Sequence, residues 1–190
     1  MKRIILLILA VLGIGAVYSF TTISRHAKEY TSEVNKLQEQ TGSPHIVLVD
    51  FTRNSCADRL FVFKDGEPVY SGAVLHGNGK GNTPSKPVFS NKPGSNCSCL
   101  GLFKIIGSRN MKNGIPCLVL QGLSPTNSNA MARGILIHPS LMVSLLPFEI
   151  ENACFPLTNE SQGCFAVSFH TFKFLEKLPK SIYLYAKYDL

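Results

Sequence analysis

The chain has 190 residues, enough for one domain with a full core, and its 45% hydrophobic and 16% charged residues describe a folding sequence and not a disordered one. The formal net charge is +7, but Lys and Arg are scattered, with no basic run and no basic–aromatic interleaving, which argues against nucleic acid as a partner. A basic chain of this kind suits work beside acidic lipid or an acidic polymer.

The first element is a leader. "MKR" supplies a positive start and "IILLILAVLGIGAV" an apolar run of signal-peptide length, short and glycine-weakened for a membrane span. "VYS" offers a cut after Ser19. Residues 1–20 therefore read as a signal peptide or an N-terminal membrane anchor, and either implies export to the periplasm or cell envelope. Membrane contact is expected only through this segment, if it is retained. Residues 21–44 form a helical lead-in: "SRHAKEYTSEVNKLQEQTG" is rich in Glu, Lys, Gln and Leu, and Gly42 stops it before Pro44. Its thin apolar face, Tyr30, Val34 and Leu37, predicts a helix on the domain surface or a link to the membrane.

Residues 45–190 read as one domain. "HIVLVDF" is a β-branched, apolar strand. "RLFVFK", "DGE" and "PVYSGAVLHG" form a hairpin, since Asp65-Gly66 fits a tight turn with positive φ. Residues 77–96 are a long Gly/Pro/Ser/Asn-rich loop, a length that is usually functional or disordered. "LGLFKII", "CLVLQGL", "GILIH" and "GCFAV" are further strands. "SFHTFKFLEKLPK" is a helix capped by Ser168, with Phe172 and Leu175 on one face, and "SIYLYAKY" closes with a strand. The fold class is mainly β, two packed mixed sheets with one or two helices.

Six cysteines, Cys56, Cys97, Cys99, Cys117, Cys154 and Cys164, suggest disulfides in an exported chain, and their spacings match no zinc signature. No metal and no organic cofactor is expected. Two reactive groups stand at the ends of apolar strands: His138 after "GILI" and Cys164 before "FAV". A thiol is intrinsically nucleophilic, an imidazole can take its proton, and the resulting imidazolium can protonate a leaving amine. The small Gly163 lets substrate backbone approach the sulfur, and the N–H groups of Gly163 and Cys164 can face a developing oxyanion. From the pattern alone Cys164 is open to three readings: nucleophile, half-cystine or buried structural thiol.

Four pieces follow one another in order: "RLFVFKDGEPVYSGAVLHGNGKG", "FSNKPGSNCSCLGLF", "LQGLSPTNSNAMARGILIH" and "SQGCFAV". From about His45 to about Val167 the chain thereby resembles the murein L,D-transpeptidase catalytic-domain family, of the YkuD-like superfamily. The resemblance implies an L,D-transpeptidase fold, with Cys164 as nucleophile, His138 as general base and Pro139 O as the carbonyl that orients the imidazole. It places Arg133, Asn129, His76, Ser90 and Ser161 at the polar positions around the groove, as candidate substrate contacts, with Arg133 clamping a stem-peptide carboxylate. Each also fits a supporting role: Arg133 as a surface cation or core-edge ion pair, Asn129 as a partner of turn backbone, His76 as a hydrogen-bonding residue at a strand end, Ser90-Asn91 as loop architecture and Ser161 as a support of the Cys164 loop.

The chain departs from the family pattern where Pro139 replaces a glycine after the histidine, Glu160 an arginine before the motif serine, and Phe165 a proline after the cysteine. Glu160 disfavours a neighbouring thiolate and repels a carboxylated substrate. Cys97 and Cys99 stand where the family tends to have serines, and one of them is a candidate bridge to Cys117. The segment between His138 and Cys164, which holds Cys154, is expected to be a lid or groove wall. The leading expectation is an exported cysteine acyltransferase acting on peptidoglycan stem peptides. Its alternatives are an L,D-carboxypeptidase, a cell-wall binding module that kept the fold without turnover, and an envelope protein in which Cys164 is oxidised.

Overall fold

The computed structural model describes residues 26–55, 57–83, 86–144, 161–179 and 182–188. The expected leader, Cys56, Cys154, Glu160 and most of the expected lid lie outside the described residues.

Among the described residues there are nine strands: β1 (His45–Asp50), β2 (Leu60–Lys64), β3 (Glu67–Gly72), β4 (Val74–Leu75), β5 (Gly101–Asn110), β6 (Pro116–Gly122), β7 (Leu136–Pro139), β8 (Phe165–Val167) and β9 (Ile182–Lys187). They join in one mixed ladder, β3-β2-β1-β9-β5-β6-β7-β8-β4. β3 and β4 are its two edges, yet only Ala73 separates them in sequence. A chain spans at most about 3.6 Å per residue, so the two edges must come together and the sheet must fold over on itself. The two expected packed sheets are thus the two halves of one continuous ladder.

The core lies between those halves. Val47, Val49, Leu60 and Val62 from one half pack with Leu118, Leu120, Ile137, Phe165 and Val167 from the other. The alternate residues Ile46, Leu48, Phe61 and Phe63 face outward and pack under the N-terminal helix, Thr31–Thr41, through Val34, Leu37 and Tyr30. β1 and β2 are therefore buried on both faces, which is why "HIVLVDF" and "RLFVFK" are continuous apolar runs. Gly42 ends the helix in the left-handed region, and Tyr30 Oη reaches Asp50 at 2.7 Å, fixing the helix to β1.

The Asp65–Gly66 turn has φ of 51° and 81°, and Lys64 pairs with Glu67 across it, a two-residue hairpin loop with both central residues at positive φ. The helix Phe169–Glu176 starts at Ser168, whose hydroxyl accepts from Thr171 N at 3.0 Å, and it buries Phe172 and Leu175. The strand β9 runs between β1 and β5 in the interior of the ladder. Among the described residues no helix is long and apolar enough to cross a membrane.

Candidate active site

β7 and β8 run parallel, with Ile137 opposite Phe165 and His138 opposite Ala166. Ile137 and Phe165 enter the main core. Strand alternation turns Leu136, His138, Cys164 and Ala166 to the other face. Cys164 directly precedes Phe165, the partner of Ile137, and lies two residues before Ala166, the partner of His138. Cys164 packs with Leu136 and Cys117. Cys117 on β6 falls one rung beyond the Leu118–Ile137 pair, opposite His138.

Nδ1 of His138 lies 3.0 Å from Pro139 O. A carbonyl can only accept, so Nδ1 carries the proton and the neutral ring offers Nε2 as the proton acceptor. Pro139 makes this contact through its carbonyl, without using the N–H it lacks.

Cys164 is 9% exposed, and its Sγ donates to Gly134 O at 3.6 Å. Burial pushes the thiol above its ordinary value and Cys117 adds to the push, while the Leu136 backbone and the Arg133 guanidinium oppose it. The thiol rests protonated at neutral pH and needs a base at the moment of attack.

The backbone on either side of the sulfur is held by two hydroxyls. Ser98 Oγ donates to Gly163 O at 3.0 Å, and Ser161 Oγ donates to Cys164 O at 2.8 Å. Gly163 has φ +109°, where an L side chain is strained, and a Cβ there would come within 2.7 Å of Cys97 O. Asn78 N donates to Ser161 O at 2.8 Å, so the strand end after β4 lies along the nucleophile loop.

The remaining expected contacts build the walls of the site. Arg133 donates from Nη1 to Ser90 O at 2.6 Å, and from Nη2 to Cys97 O at 2.5 Å and Ser95 Oγ at 3.3 Å. Asn129 donates to Asn91 through its backbone N and its Nδ2, both at 3.1 Å. Ser90 N donates to Ser98 O at 3.0 Å. Arg133, Asn129 and Ser90 thus knit residues 90–98 to residues 129–133. His76, at the end of its strand, is 0% exposed. Its Nδ1 takes a hydrogen bond from Arg59 Nη2 at 3.0 Å and its Nε2 faces Thr83 O at 3.2 Å. Burial and the neighbouring Arg59 cation push it down to about 4, so it is a neutral strut.

Cys97, Cys99, Cys117 and Cys164 are all free thiols, which corrects the expected bridge from Cys97 or Cys99 to Cys117 and the oxidised reading of Cys164. Cys117 Sγ instead donates to Arg109 O at 3.2 Å. Among the described residues no group of three or more His, Cys, Asp or Glu is arranged to hold a metal ion. Phe165 at the departure after the nucleophile is a fully buried anchor, with its ring 5.8 Å from Phe51 and 5.6 Å from Phe103. Sequence reading missed Ser98 and Arg59: one is a serine between two cysteines, the other a cation at the start of an apolar strand, and neither advertises its burial.

The sequence profile of the L,D-transpeptidase catalytic domain matches residues 17–186, and the chain belongs to that family. No curated protein matches the sequence. Among solved structures, the L,D-transpeptidase from Xylanimonas cellulosilytica is similar at 16% identity with a TM-score of 0.46, covering 76% of this chain and 61% of that one. A variant of the helical cell shape determining protein Pgp2 from Campylobacter jejuni has 13% identity and a TM-score of 0.50, covering 77% of this chain and 47% of that one. A serine-for-cysteine variant of an Enterococcus faecium L,D-transpeptidase has 13% identity and a TM-score of 0.44, covering 76% and 50%. The chain thus spans about half to three-fifths of the length of these structures, and the likeness is one of fold.

Proposed function

We propose that the protein is an exported L,D-transpeptidase that acts on peptidoglycan stem peptides through a thioester on Cys164. What supports this reading is the parallel pairing of β7 with β8, which sets His138 opposite Ala166, two residues after Cys164, with Nδ1 of the imidazole facing Pro139 O. Nε2 of His138 takes the Sγ proton as the sulfur attacks the carbonyl of the L-centre at stem position three. The negative charge that develops on that oxygen is met by backbone N–H at Cys164, a class of donor worth about 3–4 kcal/mol of barrier lowering. Collapse of the intermediate breaks the amide bond, and His138 gives its proton to the departing D-Ala amine. The amine of a second stem then attacks the thioester, a crosslink forms and the thiol is regenerated. Water in place of that amine gives L,D-carboxypeptidase activity.

Arg133, Asn129, Ser90, Ser161 and His76 serve this chemistry by holding the loops around the sulfur. The test is incubation of the purified protein with a disaccharide tetrapeptide and analysis of the products by mass. The expected products are free D-Ala and a crosslinked dimer, both absent with Cys164→Ala. Tripeptide with no dimer identifies a carboxypeptidase. No turnover at all leaves a binding module that kept the fold.

A further inference from the structure

Ser98 lies in a loop, 1% exposed, between two cysteines that have no part in the proposed chemistry. Its hydroxyl touches two backbone groups of the site. It accepts from Gly77 N at 2.9 Å and donates to Gly163 O at 3.0 Å. The direction of the second bond follows from the first. An amide N–H can only donate, so the Gly77 contact occupies an oxygen lone pair and leaves the single hydroxyl proton for the Gly163 carbonyl.

We infer that Ser98 is the positioning residue that aims the oxyanion donor of the nucleophile. The Gly163–Cys164 peptide unit is planar and trans, so its C=O and N–H point in opposite directions. Holding Gly163 O against Ser98 turns the Cys164 N–H to the other side of the unit. That peptide has little rigidity of its own, because a glycine moves between backbone regions at low cost. Its conformation is nevertheless prescribed: Gly163 has φ +109°, and Cβ atoms built at Gly163 and at Gly77 would collide with backbone. Gly77 packs so closely that its Cβ would stand 2.7 Å from Gly163 N and Cα and 2.2 Å from Asn96 O. The two glycines allow close approach, and the serine between them fixes the orientation. Ser161 does the same for the next carbonyl, Cys164 O, at 2.8 Å. A preorganised donor is worth more than a mobile one because it needs no reorientation as charge develops.

This inference rests on the proposed acyl transfer, and its test separates the two. Wild type, Ser98→Ala and Ser98→Thr are each treated with a carbapenem, which must pass through an oxyanion to acylate Cys164, and with iodoacetamide, which alkylates the sulfur by direct displacement with no oxyanion. Rates are read by time-resolved intact mass. Loss of one orienting hydrogen bond predicts acylation slowed about tenfold in Ser98→Ala, with alkylation and its pH profile unchanged and Ser98→Thr restored. Should Ser98→Ala not fold, Ser98→Cys, whose thiol donates weakly, carries the same comparison, with adduct sites assigned by peptide mapping. Equal slowing of both reactions, or acylation that is not slowed, overturns the inference while leaving acyl transfer intact. A wild type that is alkylated but never acylated overturns both.

Discussion

Arg59 Nη2 lies 3.0 Å from His76 Nδ1, and both side chains are fully enclosed. The pair stands between the core and the nucleophile loop: Arg59 Nε also donates to Val74 O at 2.6 Å, its guanidinium lies 4.9 Å from the Phe51 ring, and Gly77 follows His76 directly. Arg59 is pushed down to about 9 by burial, with Asp50 opposing, and so stays charged at neutral pH. Burial, and then this cation beside it, keep His76 neutral.

Acid should therefore loosen the site. His76 is held at about 4 in the fold against an ordinary 6.5. Between those values the unfolded chain binds a proton that the fold refuses. Stability from this group is complete above about pH 6.5 and is lost as pH falls toward 4, on the order of 3 kcal/mol in all. Denaturant unfolding at pH 7 and pH 4.5 should show a steeper acid loss in wild type than in His76→Gln. Equal slopes would remove the Arg59–His76 pair from the account.

Arg133 makes a second prediction. Its guanidinium spans Ser90 O and Cys97 O, and its charge lowers the Cys164 thiol against the burial that raises it. Arg133→Gln removes the charge, so the pH midpoint of iodoacetamide alkylation at Cys164 should rise. Arg133→Lys keeps the charge but loses the planar fork, so it should keep most of the midpoint while costing stability, about 1–3 kcal/mol for the carbonyls left behind. A midpoint that falls in Arg133→Gln contradicts this.

Phe165 anchors the nucleophile to the core. It is 0% exposed and packs between Phe51 and Phe103. Phe165→Ala should cost about 3–5 kcal/mol of stability, as large-to-small changes in a packed core do. Thermal and denaturant unfolding measure it. A loss below 1 kcal/mol, within the range of a surface substitution, would mean that the ring does not hold β8.

Much of this architecture was legible in the chain. The apolar runs of β1, β2, β7 and β8, the Asp65–Gly66 turn and the Ser168 cap each follow a local rule that the fold obeys. The pairing order was not legible. Nothing local says that β9 enters between β1 and β5, or that Ala73 carries the chain from one edge of the sheet to the other. The sulfur and the imidazole were visible because each ends an apolar strand. Arg133, Asn129 and His76 were open in the sequence to either a supporting or a contacting role. The sequence does not name the backbone carbonyls and amides that a polar side chain holds. Ser98 was hidden for the same reason, since its whole contribution lies in two backbone bonds made by distant glycines.

The proposed reaction passes through a covalent intermediate on Cys164. Wild-type protein mixed with tetrapeptide stem and quenched in acid during turnover should gain the mass of the tripeptide acyl group, with D-Ala lost. Peptide mapping should place it on Cys164, and His138→Gln should accumulate it far more slowly. An acyl group on Cys117 or any other residue, or D-Ala released at the wild-type rate by Cys164→Ala, would contradict the account.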